Sequence, residues 1–432
     1  FHVLLIPFVW LEDPLLGMRL AGVVVTAACL LSVYLVCLRL EIKAAPLWPF
    51  VLLFSSAFLL HRLTMLRPHV LSLGLSVLIL VLLAIGNLRG VFLAAFALAW
   101  LHLSLFFVPL IVLGVFATTK LVTEKSFAWR ESAALAGGLA AGWLLRPNPL
   151  GAAKIVYVQV FQWTLEKLAG APLEVGSELR PLALAIHSNY LAFIGLLSCA
   201  LLFLLWKLCV SRTPLPAQQQ TVLSAAAVLS LGFLLLALLF ARRAFDFSST
   251  FGTIVIALVF SRFLSGRKWL RVGLLGLFAV LALYGTSLRN RILAIGWQTD
   301  RMAGAAQWLE ANSRPGDIVF NARWEYFSEL FFWNSKNRYV GGMDPIFQYA
   351  FDPELYRAGL SVGTARSSLL CATGNCPETI GADGYQVVKE KFKARYVFLL
   401  KQADANLYFQ LLNDKRFELK KQDEGAAVFE VL

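Results

Sequence analysis

Four side chains able to carry positive charge stand in one short stretch, "HRLTMLRPHV" (61–70): His61, Arg62, Arg67 and His69. Others with similar surroundings are Arg146 in "LLRPNPL" (144–150) and the pair Arg242–Arg243 in "ARRAFDF" (241–247). A guanidinium presents a planar fork of donors that suits the oxygens of a phosphate, and a nearby imidazole can add a further donor. All of these residues border apolar runs, where a cation costs desolvation unless it meets an anion, water or lipid headgroups. Two plainer readings stand beside phosphate binding. The chains could snorkel to headgroups, or they could form ion pairs, with Asp246 as a partner for Arg243.

The elements that must position these residues follow from composition. Hydrophobic residues make up 59% of the 432 and charged residues 15%. A soluble chain could not hide that much apolar surface, so a polytopic α-helical membrane protein is expected. The net charge of +13 is unevenly spread. Residues 1–296 carry 23 Lys and Arg against 9 Asp and Glu, whereas 297–432 carry 16 against 17. The basic excess sits in short loops and near the ends of apolar runs. That is the pattern of topology determinants and headgroup contacts, not of a nucleic-acid stripe, and nucleic acid is excluded as a partner. The chain begins at Phe1 inside an apolar stretch with neither a Met nor a basic leader, and reads as lacking its N-terminus.

Windows of suitable apolarity give about ten spans in this segment: 15–38, 47–60, 70–87, 90–104, 105–119, 131–145, 182–206, 221–241, 250–264 and 271–288. Ser104 and Pro109 mark the break that divides 88–118 into a hairpin. One face then receives Arg39, Lys43, Arg89, Lys120, Lys125, Arg130, Lys207, Arg212, Arg267, Lys268 and Arg271, and is cytoplasmic by the positive-inside rule. The opposite face holds 61–69, 146–181, 241–246 and the C-terminal domain. Orientation does not explain the cations there, which strengthens the anion reading.

Residues 297–432 alternate helix and strand patterns, from "QTDRMAGAAQWLEANSRPGDIVFNA" to a final strand pair turning at Asp423–Gly425, and are expected to form a small α/β domain. In "GGMDP" (341–345) Asp344 is expected to cap a helix that Pro345 begins. Cys371 and Cys376 in "CATGNC" are close enough to close a small disulfide in an oxidising compartment, and this domain contains no His for a structural zinc site. Cys29, Cys37, Cys199 and Cys209 read as apolar packing. The run "KIVYVQVFQWTLEKL" (154–168) reads as an interfacial helix, with Glu166 structural. His102 and His187 are expected to bond neighbouring helices. HExxH, Walker A and GxSxG motifs are missing from the sequence.

The order of these features resembles the GT-C superfamily of integral-membrane glycosyltransferases, which includes protein O-mannosyltransferases and aminoarabinose transferases. "FHVLLIPFVWLEDPLLGMRLAGVVVTAACLL" (1–31) is similar to the short membrane-lying helix and following span of that superfamily, with Arg19 at the start of the span. Arg67–Pro68 and "NRYVGGMDP" (337–345) are similar to features of a bacterial subgroup. The resemblance implies a GT-C-like transmembrane domain over 1–296 and a periplasmic domain over 297–432, in the bacterial inner membrane. It implies transfer of a sugar from a polyprenyl-phosphate donor to an acceptor at the outer face. The catalytic acid would precede Phe1, as would one further span, while Glu12 and Asp13 suit a loop turn. His61, Arg62, Arg67, His69, Arg242 and Arg243 would hold the donor phosphate, with or without a divalent metal. Arg146, Glu174, Glu178 and Asp246 would orient the acceptor or serve structure. Membrane lipids and other membrane-protein subunits are the further partners considered. Two other readings remain at this point: an inactive GT-C-like scaffold subunit, and a transporter of lipid-linked glycans.

Overall fold

The computed structural model describes residues 1–174, 176–182, 188–210, 217–264, 268–294, 300–342, 344–365 and 383–432. The chain falls into two compact units, one of residues 1–156 with 176–295 and one of 157–175 with 296–432. The first is a helical membrane unit. The second is a small α/β unit, and 157–175, which the sequence placed in the membrane part, clusters with it.

In the membrane unit, Pro14–Arg39 forms the first long helix. Asp13 accepts the Leu15 N–H at 2.8 Å and Pro14 occupies the first turn, where its missing N–H costs nothing. Among the described residues, four helices are long and apolar enough to cross a bilayer: Pro14–Arg39, Leu103–Glu124, Ala217–Leu239 and Ala244–Arg262. A fifth crossing arises if Ala45–Leu53 and Ala57–Thr64, bent by 96° at their junction, count as one. This corrects the expected ten. Pro68–Ala84, Leu88–Leu101 and Trp129–Leu144 have 17, 14 and 16 residues. At 1.5 Å per residue they reach only about 21–26 Å, short of a hydrocarbon core of about 30 Å. Apolar windows see composition but not where a helix stops.

The break in 88–118 lies at His102, which ends Leu88–Leu101, followed by a turn of 3-10 helix at Leu103–Leu105. Pro109 sits inside the first turn of Phe107–Glu124 rather than at the break. The 96° bend is held by Ser56, whose hydroxyl accepts the Leu59 N–H at 3.0 Å. Ser56→Ala is expected to lower stability by about 1 kcal/mol, read from the thermal midpoint of the purified protein in detergent; an unchanged midpoint would mean the bend is set by packing alone. The helix at the centre of the unit is Ala244–Arg262, almost wholly buried. It tolerates its hydroxyls because Ser249, Thr250 and Thr253 bond back to carbonyls of the preceding turn. Ser230 and Ser248 exchange hydrogen bonds with each other's carbonyls at 2.8 and 2.9 Å, tying this helix to Ala217–Leu239.

The α/β unit is a five-stranded sheet of β1 (Ile318–Asn321), β2 (Arg338–Tyr339), β3 (Tyr396–Leu400), β4 (Phe417–Gln422) and β5 (Ala426–Val431) in the order β2-β1-β3-β5-β4. β1 is parallel to β2 and β3, and β5 is antiparallel to β3 and β4. Side-chain alternation separates the core into two layers. Val319, Tyr396, Phe398 and Val428 meet Ala303–Asn312 and Phe327–Trp333 on one face. Phe320, Val397, Leu399 and Phe429 meet Pro353–Gly363 and Ala405–Asn413 on the other. The Asp423 carboxylate accepts the Gly425 and Ala426 N–H groups and closes the expected hairpin turn. Asp404, with its side chain fully buried, binds Arg323 Nε at 2.7 Å, the Tyr326 hydroxyl at 2.8 Å and the Leu400 N–H at 3.0 Å. Burial, with the Asp404 carboxylate beside it, raises the Tyr326 phenol far above its ordinary range. Asp344 stands at the cap position of Pro345–Phe351 but makes no side-chain cap bond, contrary to expectation; its carboxylate instead accepts from Gln159 Nε2 at 3.4 Å. The expected disulfide, Cys371–Cys376, and His187 lie outside the described residues.

Candidate functional site: a guanidinium and carboxylate cluster in the membrane unit

Four separated segments build the site. Arg62 ends the Ala57–Thr64 helix, Arg67 and His69 open Pro68–Ala84, and Arg243 and Asp246 open the Ala244–Arg262 helix. The N–H groups of Arg242 and Arg243 bond to the Arg180 and Glu178 carbonyls at 2.8 and 2.9 Å. This backbone pairing lays 178–182 along the chain at 237–243 and brings Glu178 to the cluster.

Asp246 is the inner anchor, with no exposed surface. Its Oδ1 accepts from Arg62 Nη2 at 2.8 Å, while Arg62 Nε lies 2.7 Å from Oδ2 as an ion-pair contact outside hydrogen-bond geometry. His69 Nε2 lies 2.9 Å from the same Oδ2, and Arg243 Nε donates to His69 Nδ1 at 3.3 Å. A nitrogen that accepts from a guanidinium carries no proton, so this geometry assigns the neutral ring with its proton on Nε2. The expected Arg243–Asp246 pair is therefore replaced by Arg62–Asp246–His69, with Arg243 behind the ring.

Glu178 forms the outer half. Arg67 Nη1 donates to both of its oxygens, at 3.0 and 3.1 Å, and Arg243 Nη1 lies 3.7 Å from Oε1. Burial alone would raise the Glu178 carboxyl, but the guanidiniums of Arg243, Arg67 and Arg62 outweigh it and hold the group below the usual carboxylate range. The Arg67 side chain is 45% exposed and that of Glu178 25%. The outer pair is open to solvent or ligand; the inner triad is not.

The remaining expected residues divide. Arg242 is buried with its guanidinium 4.8 Å from the centre of the Phe58 ring, a cation–π contact. His61 is half-buried on the helix that carries Arg62, with Arg62, Arg67 and Glu178 as the charges around it. Arg146 donates to the Ala99 and Trp100 carbonyls at 2.9 and 3.1 Å, capping the C-terminal end of Leu88–Leu101, and so stands apart from the cluster. Glu174 belongs to the α/β unit, where its N–H donates to the Tyr356 hydroxyl at 2.9 Å. His102 Nδ1 lies 2.9 Å from Ser72 Oγ, a bond between neighbouring helices as expected. The sequence did not reveal Asp246 as the centre of the cluster. The available signal was a carboxylate in the first turn of an apolar span whose other charge, Arg262, lies at its far end.

Among the described residues no three His, Cys, Asp or Glu side chains are grouped to hold a metal ion. Three guanidiniums face two carboxylates around a neutral imidazole, so the cluster keeps one net positive charge. In chemical terms it is a partly exposed basic edge on an internally paired base. The class defined by fold and site is a helical membrane protein with a mixed α/β unit. Compared with known family models and with curated proteins, the chain has no match.

Proposed function

We propose that this chain is a GT-C-like glycosyltransferase that moves a sugar from a polyprenyl-phosphate donor to an acceptor at the outer face of a bacterial inner membrane, with the α/β unit in the periplasm. The observation that supports this most is the uncompensated positive charge at Arg67, Arg243 and Glu178, beside apolar helices that suit a lipid tail. In the reaction, an acceptor oxygen attacks the anomeric carbon and the bond from that carbon to the phosphate oxygen breaks. The polyprenyl phosphate leaves with the electron pair, and the acceptor proton passes to a general base. Arg67 and Arg243 neutralise the phosphate as its charge develops, which accelerates transfer because the donors are already in place. Glu178 holds the position that the phosphate takes and swings aside on binding.

Arg67→Ala is expected to lower both undecaprenyl-phosphate affinity and sugar transfer by about 10- to 100-fold, the loss of one or two charge-assisted hydrogen bonds. Glu178→Gln is expected to tighten undecaprenyl phosphate, since it removes the competing anion. Both are measured on the full chain in lipid nanodiscs, with undecaprenyl phosphate as the binding probe and undecaprenyl-phosphate hexose as the donor. Unchanged affinity in Arg67→Ala, or weaker binding in Glu178→Gln, would defeat the assignment. A second reading, an inactive scaffold subunit, is favoured by the self-satisfied Arg62–Asp246–His69 triad. It predicts that the wild-type chain binds no undecaprenyl phosphate.

A further inference from the structure

The α/β unit contains a cavity of about 550 Å³, of the size that holds small ligands. Its place in the sheet is informative. The chain leaving β1 continues into Phe327–Trp333, whose Leu330 packs with Val319 and Phe398. The chain leaving β2 continues through Pro345–Phe351 into Pro353–Gly363, whose Ala358 and Val362 pack on the opposite face with Phe320 and Val397. The cavity lies beside β1 and β2, lined along both strands from Ile318 and Arg338 to Ala322 and Gly342. "NRYVGGMDP" thereby acquires a physical reason. A Cβ at Gly341 would lie 3.0 Å from Trp324 Cα, so glycine allows the two connections to meet at the cavity wall.

The lining indicates the ligand. Trp324, Tyr339, Phe347 and Phe351 supply aromatic faces, and Phe351 is 86% exposed. The charged lining residues are balanced, Arg338 and Lys391 against Glu174 and Asp352. A phosphate is disfavoured: Pro345 in the lining offers no N–H, and Glu174 and Asp352 oppose Arg338 and Lys391. Rings for apolar faces and balanced charges for hydroxyls describe a neutral polyhydroxylated molecule. We propose that this cavity binds a neutral saccharide of one or two units. The proposal concerns the α/β unit alone and holds whether or not the membrane cluster handles a lipid phosphate.

The test uses the full chain in nanodiscs and a probe set of methyl glucoside, methyl mannoside, methyl galactoside, N-acetylglucosamine, maltose and cellobiose, followed by saturation-transfer NMR and calorimetry. At least one probe is expected to saturate with a Kd of about 1 mM or tighter. Trp324→Ala and Phe351→Ala are each expected to weaken it about fivefold or more, as the loss of an aromatic contact implies. Phe351 is exposed, so its variant reads binding even if Trp324→Ala disturbs folding. Failure of every probe to saturate, or unchanged affinity in Phe351→Ala, overturns the proposal. Glucose 6-phosphate binding more tightly than glucose would overturn the neutral class.

Discussion

Asp246→Ala is expected to destabilise the membrane unit by about 3–5 kcal/mol, because it strips the counter-charge from a buried guanidinium. Arg62 reaches only Asp246 among the ion pairs described for it, and both side chains are almost fully enclosed. His69 loses its acceptor in the same step. The loss reflects an orphaned charge more than a strong bond. The double variant Arg62→Leu with Asp246→Leu is therefore expected to recover most of the stability, since well-packed apolar residues often replace a buried ion pair at little cost. Thermal unfolding of purified protein in one detergent measures both. If the single variant stays within about 1 kcal/mol of wild type, or the double is worse than the single, the triad does not anchor the unit as described.

Leucine at both Gly138 and Gly142 is expected to prevent Leu88–Leu101 and Trp129–Leu144 from packing, with loss of folded protein. The sequence "GGLAAGW" (137–143) places two glycines four residues apart on one face. A Cβ at Gly138 would collide with the Phe92 carbonyl, and one at Gly142 would lie 2.5 Å from the Phe96 carbonyl oxygen. Backbone cannot yield as a side chain can, and small residues at this spacing are what allow membrane helices to approach closely. Even single alanines are expected to cost about 1–3 kcal/mol through overpacking. Gly137 supplies an internal control. Its Cβ would meet only the Phe92 ring at 3.6 Å, an ordinary contact, so Gly137→Ala should be neutral or stabilising by up to about 1 kcal/mol. Equal damage at 137 and 138 would show that close approach at Gly138 does not set the cost.

These two predictions mark what could be read before the fold was known. The membrane class was legible because apolar content and its clustering are properties of composition. The helix and strand alternation of the α/β unit was legible because its patterns are local. Span number was not, since a helix of 14 residues and one of 26 differ in their stops, and His102 or the Ser56 junction carries no strong breaker. Of the site, the cations were visible as a group at 61–69 and 242–243. Their partners were not. Arg67 meets Glu178 across 111 positions and Arg62 meets Asp246 across 184, and nothing local links residues so far apart. Asp344 shows the same limit: spacing predicts a helix cap, whereas the carboxylate turns toward Gln159.

The outermost strand β4 carries a consequence of its own. Its sequence, "FELKKQ", puts Glu418, Lys420 and Lys421 on the sheet's open margin, and the Lys420 ammonium already lies 2.5 Å from Glu418. The ladder is also irregular there, with a register shift between Leu419 and Lys421. A foreign strand adding to this margin would have to bury two ammonium groups against a kinked backbone. The opposite margin, β2, is only two residues long. The unit is thus protected at both rims against fibrous self-association by its own chain.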